Sequence, residues 1–205
     1  MVWWLAVGCV YSGVPDTGRV DPTRDMRGVY AVAWEDTVRV SLDLGGATQQ
    51  AELAPDGVAT FDGPDGVLEI DLGAYCADEG IVCPAEVWAT AIGVDQVAPE
   101  QEAGAHALRA WDMAAPEVAR DGIVTHVDHR FLFGIGASTG GDDTCGALEL
   151  SLADGTFRVN ADGPTGIDDG RVVAGWLGVC AWPGLAVVAT LSVEARYSAD
   201  RTGDL

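Results

Sequence analysis

Few residues in this chain have both the type and the spacing to carry chemistry. Gly136-Ala-Ser138-Thr-Gly140 matches the G-x-S-x-G pattern that sets a nucleophilic serine on a strand-to-helix turn. That chemistry needs an acid and then a histidine further along the chain. All three histidines, His106, His126 and His129, precede Ser138, and Gly141-Asp142-Asp143 does not open an amphipathic helix. The segment therefore reads as a Gly-Ser-Thr loop. His126 and His129 stand three apart, a spacing that shares a face on a helix but not on a strand. The surrounding Ile123-Val124-Thr125-His126-Val127 reads as a strand, and no further Cys or His completes zinc spacing, so the pair reads as surface histidines on a polar loop. No catalytic residue is assigned.

Carboxylates offer more. Asn160, Asp162, Asp168 and Asp169 lie in one Gly-rich stretch, Asn160 to Gly170, and supply the oxygen ligands that calcium favours on a flexible loop. The spacing is not that of an EF-hand, and Asx turns account for the same residues without an ion. Calcium is accordingly the one cofactor worth considering, and otherwise none is expected. Asp62 and Asp65 flank Gly63-Pro64. A carboxylate pair could serve a secreted hydrolase of the glycosidase type, the alternative to a non-catalytic role. Trp34, Trp88, Trp111, Trp176 and Trp182 could stack on a sugar, but such residues more often pack in cores and between strands.

The cysteines are Cys9, Cys76, Cys83, Cys145 and Cys180. An odd count in an exported chain calls for one cysteine with a separate role. Cys9 ends the apolar start Met1-Val-Trp-Trp-Leu5-Ala-Val-Gly-Cys9. Leu5 to Cys9 resembles the lipobox of bacterial lipoproteins, whose cysteine is lipidated and becomes the new N-terminus. The resemblance implies a lipidated Cys9 behind a truncated signal peptide over 1–9, and membrane attachment through that lipid alone. Val10 rather than Asp follows Cys9, which by the same resemblance favours the outer membrane or cell surface over the periplasm. The four remaining cysteines allow three pairings. Cys76–Cys83 across a polar turn and Cys145–Cys180 between two strand ends are the expected disulfides. Four reduced, buried thiols are the competing expectation.

Charge limits the partners. Eleven Arg and no Lys face 22 Asp and 10 Glu, a net charge of −21. A surface this negative repels phosphate backbones, so no nucleic-acid partner is expected, and a protein or carbohydrate partner is left undefined.

The elements that must position these residues read as strands. Val38, Val40, Leu42 and Leu44 alternate with polar residues, as do Leu68, Ile70 and Leu72, then Leu148, Leu150 and Leu152, then Phe157, Val159 and Ala161, and finally Leu185 to Tyr197. Segments 29–34, 87–94, 131–137 and 172–179 are apolar on both faces and read as central strands. Asp-Gly occurs seven times and marks tight turns. At most one short helix is expected, near 99–113, from Leu108 and Trp111 three apart. The expected fold is all-β, an antiparallel sandwich or open barrel over 28–198. A flexible tether over 10–27 precedes it and a tail over 199–205 follows. Asp62-Gly-Pro64 and Asp162-Gly-Pro164 open similarly ordered stretches, so 28–97 and 123–198 could be duplicated halves or a product of biased composition. The expected role is a non-catalytic binding or structural one at the cell envelope.

Overall fold

A computed structural model describes residues 21–54, 57–63, 66–72, 90–98, 104–142, 145–182 and 185–205, with 136–149 and 176–189 described by backbone position alone. The described residues form eleven strands: β1 (Gly28–Leu44), β2 (Ala47–Glu52), β3 (Val58–Gly63), β4 (Gly66–Asp71), β5 (Ala91–Gln96), β6 (Ala105–Asp112), β7 (Ala119–Thr125), β8 (Arg130–Asp142), β9 (Cys145–Asn160), β10 (Gly163–Trp182) and β11 (Leu185–Gly203). A short 3-10 turn, η1 (Pro22–Arg24), leads into β1.

The fold is an all-β, eight-stranded antiparallel closed barrel with an extra strand and a small second sheet. Strands β5 to β11 follow one another as a meander, and β1 pairs with both β5 and β11 to close the ring. β1 does two jobs along its length. Gly28–Ala31 pair with β5, and Arg39–Leu44 pair with β2. The long hairpins thus run past the ring, and the β3–β4 hairpin covers the extension.

Two cores follow from this layout. Inside the ring, Tyr30, Phe131, Phe133 and Phe157 form an aromatic centre with ring separations of 4.9–5.5 Å, filled out by Ile92, Val94, Leu108 and Ile167. In the annex, Val40, Leu42, Leu191 and Val193 pack on Phe61, Ile70 and Leu72. Outward positions carry ion pairs instead, including Arg109–Asp121, Arg158–Asp168 and Arg171–Asp154.

Several expectations change. The 99–113 region holds strand β6 over Ala105–Asp112, with His106, Leu108, Ala110 and Asp112 buried in alternation. Leu108 points inward, whereas Trp111 lies over Gly93 of β5 on the other face. The tether expected over 10–27 is docked from residue 21 onward, because Met26 is fully buried in the barrel core. The tail expected from 199 is the last stretch of β11, where Ala199 pairs with Val32. The similarly ordered halves take unlike places: 28–97 supplies two ring strands and the annex, and 123–198 lies almost wholly in the ring's meander.

Strand β9 inverts one expectation. It runs unbroken from Cys145 to Asn160, so even and odd positions cannot face the same side. Phe157 and Ala153 occupy the core and take Ser151 with them, while Leu150 is 52% exposed. The Asp-Gly pairs 121–122, 154–155 and 169–170 lie inside strands rather than at turns, and 62–63 ends β3.

Candidate functional site

The end of the barrel where the chain enters gathers the largest set of unusual groups. Asp21 caps η1 by accepting hydrogen bonds from the Thr23 amide at 3.0 Å and its hydroxyl at 2.7 Å. The Thr23 hydrogen bonds hold the Asp21 carboxyl below the usual range. Buried Gln96, at the end of β5, ties the entering segment to the ring. Its Oε1 accepts from the Met26 amide at 2.8 Å, and its Nε2 donates to the Arg24 carbonyl at 2.9 Å. The Tyr30 hydroxyl donates to the Met26 carbonyl at 2.7 Å, and burial pushes that phenol well above its ordinary pKa. Gly163, in the β9–β10 turn with φ of 123°, lies under Pro22: a Cβ there would sit 3.0 Å from the Pro22 carbonyl oxygen.

The three histidines meet beneath this segment. His106 opens β6, while His126 and His129 flank the β7–β8 turn, since β7 ends at Thr125. The His106 and His126 ring centroids are 4.4 Å apart. His106 is 6% exposed. Four buried imidazole nitrogens have no hydrogen-bond partner among the described residues: His106 Nε2, His126 Nδ1 and Nε2, and His129 Nδ1. Burial holds His126 below its ordinary pKa, and His106, Arg24 and His129 add to that, opposed by Asp21. The turn itself is fixed by Asp128, which accepts from the Thr125 hydroxyl and from the Arg130 amide. No sequence pattern links His106 to the other two; only the β6–β7 pairing of His106 with Val124 brings them together.

The oxygen ligands considered for calcium are divided. Asn160 Oδ1 accepts from the Asp162 amide at 2.8 Å, an Asx turn at the β9–β10 hairpin. Asp168 pairs with Arg158 at 3.1 Å, and Asp169 sits at a bulge in β10 with φ of 51°. Among the described residues, no group of three or more His, Cys, Asp or Glu is arranged to hold a metal ion.

Two surface hollows complete the inventory. One of about 520 Å3 crosses β8 to β11 and is lined by Arg130, Leu132, Asp154, Asp169, Arg171 and Arg196 among others. Its charges are largely committed: Arg171 to Asp154 at 2.7 Å, Arg196 to Glu194 at 2.6 Å. The other, of about 500 Å3, lies beside η1, where Arg27 pairs with Asp25 at 2.5 Å and Arg201 with Asp204 at 2.6 Å.

Ser138 stands within β8 opposite Glu149, not on a strand-to-helix turn. Trp34 packs on Tyr197 at 5.1 Å and Trp111 covers Gly93, so both serve the barrel wall. Trp88, Asp65, Cys9, Cys76 and Cys83 lie outside the described residues, as do the side chains of Trp176, Trp182, Cys145 and Cys180. No family model, no curated protein and no solved structure matches the chain.

Proposed function

We propose that this chain is an exported acidic barrel, anchored by a lipid on Cys9, with a non-catalytic binding or structural role at the cell envelope. The observation that carries the non-catalytic reading is the state of its carboxylates. Those lining the hollows include Asp154, Asp25 and Asp204, each held by an arginine. A general acid at neutral pH needs its pKa raised. Asp21, Asp25 and Asp128 are displaced downward; at Asp25 burial pushes upward, but the hydrogen bonds and charge of Arg27 outweigh it.

The β9–β10 register supports an oxidising compartment. Gly178 stands opposite Ala147 and Val179 opposite Gly146. Continued by one residue beyond its last pair, that register would bring Cys180 opposite Cys145. Directly opposed antiparallel residues have Cα atoms about 4.5–5.5 Å apart, inside the roughly 4.4–6.8 Å range that a disulfide spans. In the chain-entropy model such a link would contribute about 3–4 kcal/mol.

Detergent phase partition tests the anchor. Expressed with its native upstream sequence, the protein should enter the detergent phase, and Cys9→Ser should return it to the aqueous phase. Equal partition of the two proteins would remove the lipid anchor.

A further inference from the structure

We infer that the entering segment, Asp21 to Arg27, is a pH-sensitive plug, held in the barrel end over the histidine cluster and released when His126 takes up a proton.

The inference starts from geometry. A buried imidazole nitrogen without a partner is costly, and four such atoms gather at one place. That place lies under the plug, whose Arg24 already brings a cation to His126. With the imidazoles neutral, only desolvation must be offset. With His126 protonated, a cation stands on a ring 4.4 Å from His106 and near Arg24, itself paired with Asp21 at 3.5 Å. Like charges at this range repel, the more so away from water. Asp21 is the carboxylate that acts on His126 in the opposite sense, and it is already bound to Thr23. Asp128 is held by Thr125 and the Arg130 amide. From β5 the plug meets the neutral amide of Gln96, from the β9–β10 turn Gly163 and Asp162, and from the chain end Arg201, which acts on Asp25 and bonds the Arg27 carbonyl, and Asp204. The attachments that must break include two hydrogen bonds to Gln96, one from Tyr30, those from Arg201 to the Arg27 carbonyl, and the burial of Met26.

The direction of the pH effect follows from the neutral form being the one the fold favours. His126 titrates below its ordinary value in the folded protein. The stability it supports is complete above the unfolded value of about 6.5 and is lost as pH falls from there through the lower folded value. Release therefore follows acidification below the unfolded histidine value.

Amide hydrogen exchange of the full chain tests this, with rates corrected for intrinsic pH dependence. Between pH 7.5 and 5.0, peptides covering 21–30 should lose protection severalfold, as proton uptake at His126 favours the released state. Peptides from β9 and β10 should keep theirs. His126→Gln, which cannot charge, should hold the plug at pH 5.0. Equal protection of wild type at both pH values would overturn the inference, as would acid release that persists in His126→Gln. Release by a chelator at constant pH 7.5 would overturn it as well, since a bound metal rather than neutral imidazole would then hold the cluster.

Discussion

At the residue scale, several glycines make room for aromatic rings rather than turns. A Cβ on Gly170 would meet the Tyr197 ring at 2.6 Å, one on Gly93 the Trp111 indole at 2.5 Å, and one on Gly155 the Phe131 ring at 2.8 Å. Each of these rings lies across the strand next to its own. This explains why Asp154-Gly155 and Asp169-Gly170 sit inside strands: the dipeptide has a turn propensity, but the space beside the glycine is claimed by a neighbour. Gly→Ala in a strand would ordinarily gain about 0.4–1 kcal/mol through the unfolded chain. Gly170→Ala should instead lose about 1–3 kcal/mol by overpacking, read from urea unfolding. A gain in stability would mean that Tyr197 does not lie where the barrel places it.

At the element scale, strand β9 joins two stretches whose apolar residues differ in parity. Leu148, Leu150 and Leu152 are even, and Phe157 and Val159 are odd. The ring selects the odd set around Phe157, which packs against Tyr30 and Phe131. Leu150→Ser should therefore change stability by no more than about 0.5 kcal/mol, the usual range for exposed positions. Phe157→Ala should cost about 3–5 kcal/mol. Thermal unfolding of both variants checks the assignment, and a larger loss at Leu150 would restore the opposite face. Much of the fold was legible before the structure, since period-two alternation marks β1, β4, β9 and β11 without help. The alternation cannot say which set wins when one strand carries two, nor how strands close. The helix expected near 99–113 rested on Leu108 and Trp111 at a helical spacing, and that spacing is met equally by residues on opposite faces of a strand. The histidine cluster was illegible for a simpler reason. His106 and His126 are twenty positions apart, and only the β6–β7 register and the docked segment 21–27 make them neighbours.

At the scale of the whole molecule, closure through the β1–β11 ladder removes the free edges that a meander of this length would otherwise expose. It also brings the entry of the chain beside Gly203, so both chain ends of the barrel lie at the plugged end. An anchor on Cys9 would hold the molecule by that same end, with the annex of β2 to β4 directed away. A net charge of −21 favours solubility of the exposed face and repulsion from anionic headgroups, so attachment would rest on the proposed lipid. Export is the claim on which anchor, compartment and disulfides all rest. Peptide mapping without reduction, on protein recovered from the cell envelope, tests it most directly. The account predicts a linked peptide joining Cys145 to Cys180, with Cys76 linked to Cys83. Four free thiols would contradict export, and a Cys76–Cys180 link would contradict the β9–β10 register on which the pairing rests.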